Sequence, residues 1–198
     1  MHPLFTIGHS NHALDHFLGL LRAHGVDAIV DVRSAPHSKF APHFSKRRLE
    51  AALNEAGAAY RFLGKELGAR RDEQECYVDG QAQYERIAQL PIFREGLERV
   101  IAETRQRRAA LMCAEADPIQ CHRAILVCRE LLRREPELDI VHILRGGGTE
   151  THEELEARLI DLHNVQPELF DDAVTPDALT GKAYAMQAES IAYKRKPE

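Results

Sequence analysis

Along the first 145 residues, short apolar runs alternate with helix-length amphipathic stretches. Leu4–Ile7, Ala28–Arg33, Ala59–Leu63, Ala109–Cys113 and Asp139–Leu144 have the length and composition of buried strands. A helix is predicted over Ala13–His24, capped by Ser10 or Asn11, with Phe17, Leu18, Leu20 and Leu21 on one stripe. Gly25 follows it, where a left-handed residue ends a helix. Ser45 is expected to cap a second helix ending at Gly57. Helical pattern returns near Tyr84 and continues after Pro91 through Phe93, Leu97, Val100 and Ile101. Asp117-Pro118 gives a cap followed by proline, the signal for a helix that runs to about Arg134. Strands separated by helix-length crossovers predict a three-layer α/β/α domain over residues 1–148, with a mainly parallel sheet of about five strands.

Two stretches break the alternation. Gly64–Gly80 carries Gly64, Gly68, Arg70, Arg71 and several acids, and reads as a surface excursion. After Gly146-Gly147-Gly148 the pattern changes to an acidic, partly helical extension over residues 149–198. Helical stretches are expected there near His152–His163 and Ala183–Ile191, followed by the basic run Lys194-Arg195-Lys196. This segment is expected to dock or to fray, without forming a second domain.

Composition narrows the class. With 44% hydrophobic and 29% charged residues in 198, the chain can bury a core, which excludes wholesale disorder. The net charge of −5 excludes a whole-molecule attraction to nucleic acid, so any anion site must come from local clustering. No apolar run reaches the roughly 18 residues a bilayer needs, so no membrane partner is expected. Met1-His2-Pro3-Leu4 lacks the basic start and apolar stretch of a secretion signal, and four scattered cysteines make no disulfide framework. A cytoplasmic location with reduced thiols is expected.

A parallel sheet binds ligands at its C-terminal edge. The strand ends bring His9 and Ser10, then Asp31 and Arg33, then Cys113 and Glu115 to that edge. The sharpest local feature is Cys113-Ala-Glu115-Ala-Asp117-Pro118-Ile-Gln-Cys121-His122-Arg123. There Cys121 is expected within the first turn of a helix, where amide dipoles favour a thiolate. Cys128, among Leu126, Val127 and Leu131, reads as a buried structural thiol. No metal site is expected from the spacing: C-x₂-C pairing is missing, and adjacent helical residues such as Cys121 and His122 diverge by about 100°. The stretch from Val32 to Leu49 holds Arg33, Ser38, Lys39, Lys46, Arg47 and Arg48 with no acid, so it offers phosphate contacts or simply faces water. Asp31 and Arg33 share one side of a strand, where an ion pair that orders the loop competes with a catalytic role.

Taken in order, Thr6-Ile7-Gly8-His9-Ser10, Asp31-Val32-Arg33-x-x-Pro36-x-Ser38, Tyr60-x-x-Leu63-Gly64 with Leu67-Gly68, Cys113-x-Glu115 and Cys121-His122-Arg123 resemble the domain-of-unknown-function family 488. These are small prokaryotic α/β proteins. The resemblance spans roughly residues 4–145 and departs from the family pattern at Ala69, where a glycine is usual. It implies that His9, Asp31, Arg33, Cys113, Glu115, Cys121, His122 and Arg123 belong to one site. A more distant similarity, at the level of fold, is to rhodanese-like sulfurtransferases.

Three functions follow as expectations. The first is a thiol-dependent enzyme acting on a small anionic substrate. In it Cys121 or Cys113 is the nucleophile, His122 or His9 moves protons beside Asp31, and Ser10, Arg33, Ser38, Lys39, Glu115 and Arg123 contact substrate. The second is a non-catalytic nucleotide- or nucleic-acid-binding module built on the basic loop 33–48. The third is a metal or haem binder using Cys and His. The sequence specifies neither a cofactor nor an oligomeric state.

Overall fold

The computed structural model describes residues 1–166 and 175–195. Five parallel strands, β1 (Leu4–Gly8), β2 (Ala28–Asp31), β3 (Ala59–Phe62), β6 (Ala109–Cys113) and β7 (Ile140–Ile143), form the sheet with antiparallel β8 (Thr149–Thr151) at one edge. Their spatial order is β3-β2-β6-β1-β7-β8. A separate two-stranded ribbon pairs β4 (Tyr77–Val78) with β5 (Gln81–Ala82).

Strand residues alternate between two apolar layers, as period-two geometry requires. Phe5, Ile7, Ile29, Ala110 and Met112 face one layer, where α1 (Leu14–Ala23) contributes Phe17, Leu20 and Leu21 and α2 (Lys46–Glu55) contributes Leu49 and Leu53. Leu4, Ala28, Val30, Ala109, Leu111 and Cys113 face the other. That second layer is covered by α3 (Gly64–Leu67), α4 (Tyr84–Gln89), α5 (Pro91–Thr104), α6 (Arg129–Arg134), α7 (His152–Leu162) and α8 (Pro176–Ile191). Each fully buried Leu, Ile or Phe in these layers contributes about 1.5–3 kcal/mol by leaving water. Among the described residues, no helix is long and apolar enough to cross a membrane.

The order of connections places a crevice. The chain leaves β1 and β2 onto the α1–α2 face, whereas it leaves β6, which lies between them, onto the opposite face. Loops that diverge from neighbouring strands open a ligand crevice at their C-terminal ends. Here it opens at Cys113, the last residue of β6.

Several local expectations are corrected. Neither Ser10 nor Asn11 caps α1; the cap position is Ala13, without a side-chain bond. Ser10 instead sits in a left-handed turn, φ 45°, and gives its N–H to the Ala114 carbonyl. Ser45 does occupy the cap position of α2, but its hydroxyl accepts from the Ser38 N–H rather than from the helix. Residues 64–80 are no mere surface excursion, since Leu67, Ala69, Arg71 and Cys76 are buried. Asp117 caps only a 3₁₀ turn, Pro118–Gln120, after which Cys121 is extended (φ −137°, ψ 137°). A π-helical stretch, Arg123–Cys128, then leads into α6. Cys121 therefore precedes the helix instead of lying in its first turn.

The C-terminal segment docks wherever it is described. Strand β8 extends the sheet, Thr151 and Glu154 close a reciprocal capping box at the start of α7, and Ala183, Tyr184 and Gln187 of α8 are buried. The predicted stretch 183–191 belongs to a longer helix, Pro176–Ile191. Lys196 of the basic run lies outside the described residues.

Candidate active site

The end of β1 and the loop after β6 meet so closely that a side chain on Gly8 has no room. A Cβ there would lie 1.8 Å from the Glu115 carbonyl oxygen. The ladder continues past the strands, with His9 N–H donating to Cys113 O (2.9 Å) and Ser10 N–H to Ala114 O (2.8 Å). These contacts fix the loop that carries the reactive groups.

Four of those groups converge. The Sγ atoms of Cys113 and Cys121 lie 3.1 and 3.2 Å from the same carboxylate oxygen, Glu115 Oε2. His122 Nδ1 lies 3.7 Å from Cys113 Sγ and 4.0 Å from Cys121 Sγ. Its other nitrogen, Nε2, is 3.1 Å from the Val32 carbonyl and must donate to it. That bond orients the ring so that Nδ1 faces the sulfurs. The extended backbone at Cys121 turns its side chain toward Cys113 and lets its sulfur accept the Arg123 N–H at 3.5 Å.

Electrostatics separates the two thiols. Burial opposes a charge on Cys121, but hydrogen bonding from Cys113, the guanidinium of Arg123 and the His122 ring together push its pKa well below that of an ordinary thiol. Cys113 moves the other way, because it donates to Cys121, is itself buried, and faces the charge on Cys121 and Glu115. Burial and the neighbouring Cys121 also raise the Glu115 carboxyl. For His122, burial is outweighed by bonding to Cys121, and its pKa rises. The cluster thus favours a Cys121 thiolate facing a His122 imidazolium, with protons retained on Cys113 and Glu115.

A cleft of about 340 Å³ opens over this cluster. Cys113, Glu115 and His122 form its floor, with Arg33, His37, Arg70 and Tyr84 around it and Tyr193 of the C-terminal segment closing one side. Cys121 lies behind Cys113 and is 1% exposed. Arg70 stacks over the Tyr193 ring at 4.7 Å. The Tyr84 hydroxyl forms no hydrogen bond among the described residues, and burial with Cys121 and Cys113 nearby raises its pKa.

Other predicted residues brace the site. Arg33 makes a two-pronged ion pair with Asp31, at 2.9 Å to Oδ1 and 2.6 Å to Oδ2. It also donates to His9 Nε2 at 3.0 Å and to the Phe44 carbonyl at 2.9 Å. Asp31 further accepts from the Tyr60 hydroxyl at 2.7 Å. His9 is neutral, its pKa lowered to about 4 by burial and by Arg33, and its Nδ1 donates to the Ser10 carbonyl. Arg123 is 0% exposed and spends its guanidinium on the carbonyls of Glu115 (2.6 Å) and Ala116 (3.1 Å). It holds the loop from behind and does not reach the cleft.

Ser10, Ser38 and Lys39 are not brought to the cleft wall. Ser38 accepts the Ala41 N–H at 3.0 Å and shapes its own loop. Lys46, Arg47 and Arg48 border a separate groove that meets the cleft at His37.

Behind Arg123 runs a buried polar chain that sequence reasoning missed. Arg123 Nε donates to Thr6 Oγ1 (3.3 Å), which contacts His142 Nδ1 (2.8 Å). His142 Nε2 meets His152 Nδ1 (3.0 Å), and His152 Nε2 meets the Tyr184 hydroxyl (2.7 Å). Tyr184 donates to Glu156 at 3.0 Å. With each imidazole neutral and protonated on Nε2, every donor in this chain has one acceptor. The only sequence signal was a histidine within an apolar strand, which by itself reads as a core residue.

A family model described as "Domain of unknown function DUF488" matches residues 13–129. The chain belongs to the DUF488 family. The DUF488 match takes in Asp31, Arg33 and the whole Cys113–Arg123 loop, whereas Gly8, His9 and the polar chain from His142 to Tyr184 lie beyond it. No curated protein and no solved structure matches the chain. Membership of DUF488 names no activity, so the functional reading rests on the geometry of the cleft.

Proposed function

We propose that this DUF488 protein is a thiol-dependent enzyme acting on a small anionic substrate in the cleft at the C-terminal edge of its sheet. The observation that carries this reading is the convergence of two thiols, one imidazole and one carboxyl group at the floor of a 340 Å³ cleft. Buried cysteines kept only for packing, such as Cys128, have no such company.

Roles follow from position. Cys113 borders the cleft and meets the substrate, while Cys121 lies behind it with the lower pKa. When Cys113 Sγ forms a bond to an electrophile, its proton passes to the Cys121 thiolate. Glu115 and Tyr84 hold protons that a leaving group can take. Arg70, at the rim, supplies positive charge for an anion, and His37 beside it a ring nitrogen for hydrogen bonding.

Alkylation by iodoacetamide against pH, in metal-free protein, tests this. Cys113 should react at pH 7 at least tenfold faster than Cys76 and Cys128. Cys121→Ser should move its profile upward by one pH unit or more. Equal, slow modification of all four cysteines in the native fold would refute the reading.

A further inference from the structure

Both sulfurs contact one oxygen of Glu115, and His122 Nδ1 faces both of them. Two sulfurs and an imidazole nitrogen gathered this closely form a ligand set for a cation. We propose that Cys113, Cys121 and His122 hold one zinc-class divalent ion at the floor of the cleft, with Glu115 beside it and outside the ligand set. The proposal rests on the reading of this cluster as the centre that faces the cleft, and concerns its loaded state, in which the two sulfurs are ligands rather than nucleophiles.

The donors fit. Their three ligand atoms, two Sγ and His122 Nδ1, all lie within 4.8 Å of one another. Around a tetrahedral zinc with Zn–S of about 2.3 Å and Zn–N of about 2.05 Å, S···N edges are about 3.6 Å and the S···S edge about 3.8 Å. The S···N distances are 3.7 and 4.0 Å and the S···S distance is within 4.8 Å, so the S···N edges need close by a few tenths of an ångström and the S···S edge by no more than about 1 Å. Soft thiolates with imidazole select zinc over magnesium or calcium.

The surroundings also fit. A metal-bound histidine gives its other N–H to a carbonyl or carboxylate, which fixes tautomer and direction. His122 does so with Val32, at 3.1 Å. The Arg123 N–H directed at Cys121 Sγ is the matching support for a thiolate ligand. On one helix Cys121 and His122 would diverge by about 100°. The extended backbone at Cys121 lets both reach one point instead.

Binding balances: one Zn²⁺ displaces two protons, one from the Cys113 thiol and the one held by His122 beside the Cys121 thiolate, giving a centre without net charge. Three protein ligands leave one of four positions for a molecule from the cleft.

The test uses the whole chain, stripped with a chelator and reloaded with Zn²⁺, followed by elemental analysis and thiol alkylation. The expected result is one zinc per chain, with Cys113 and Cys121 alkylating at least tenfold more slowly when loaded. Cys113→Ser and His122→Ala should each lower affinity at least 100-fold, and Glu115→Gln should retain the ion. Because a variant can misfold, Co²⁺ loading of the unaltered chain gives an independent readout, a tetrahedral spectrum with sulfur-to-cobalt charge transfer. Sub-stoichiometric zinc with Cys113 still alkylating fast overturns the metal site and leaves the thiol enzyme standing. Sub-stoichiometric zinc with both thiols inert overturns both. Zinc bound equally well by Cys113→Ser and His122→Ala places the ion elsewhere and overturns this site.

Discussion

At the scale of single residues, the site depends on one glycine as much as on its reactive groups. Gly8 lets the loop after β6 lie against the end of β1, and any Cβ there would overlap the Glu115 carbonyl. The obstruction is backbone, which cannot rotate away as a side chain can. Gly8→Ala should therefore cost about 2–4 kcal/mol in denaturant unfolding, at the upper end of overpacking penalties. It should also slow Cys113 alkylation, because Glu115 and Cys113 share that loop. A cost under about 0.5 kcal/mol would mean that the close approach is not needed. Arg33 and Arg123 carry a related lesson. Both were legible as site residues, yet their roles were not, because only three-dimensional packing shows that their guanidinium groups are already occupied by Asp31, His9 and main-chain carbonyls.

At the scale of elements, the five parallel strands were readable to within two residues because apolar runs and their turn residues specify them locally. The start of the helix after β6 was not. Asp117-Pro118 is a sound start signal, but here it opens a single 3₁₀ turn, and the chain straightens at Cys121 before coiling again. Nothing local distinguishes one turn from a long helix. That straightening brings Cys121 and His122 to bear on one point, which no helical register allows.

The docking of α7 and α8 brings its own pH dependence. His152 sits between His142 and Tyr184, its pKa lowered to about 4 by burial, and that of His142 is also depressed, by burial and by His152. Both are neutral in the fold, while in the unfolded chain they gain protons below about pH 6.5. Their contribution to stability is therefore complete above about pH 6.5 and is lost progressively as the pH falls below it, through about 4 for His152. Thermal unfolding from pH 7.5 to 5 should show Tm falling steeply below 6.5. His152→Gln, which bonds without titrating, should flatten that slope. An identical slope in the variant would remove these histidines as its source.

At the scale of the molecule, topology places the crevice and the loop after β6 brings Cys113, Glu115, Cys121 and His122 to it. Connections from β1 and β2 leave to one face and that from β6 to the other, so the sheet opens where Cys113 ends its strand. The parallel edge was predictable from strand–helix alternation; that Cys113, Glu115, Cys121 and His122 belong together was implied by the family resemblance alone. Tyr84 and Tyr193 were not, because they come from segments without strand-end signals and reach the cleft only through tertiary packing. The basic residues Lys46, Arg47 and Arg48 lie on α2, whose buried side belongs to the opposite apolar layer, and they face their own groove.

The central claim is that Cys113 and Cys121 form a reaction centre, unlike the buried Cys76 and Cys128. Competitive thiol footprinting of the native, metal-free chain at pH 7, read by peptide mass spectrometry for all four cysteines in one sample, tests it most directly. The account predicts Cys113 labelled first, Cys121 labelled appreciably once Cys113 is changed to Ser, and Cys76 and Cys128 labelled only on unfolding. Labelling of Cys76 or Cys128 at the rate of Cys113 would contradict it.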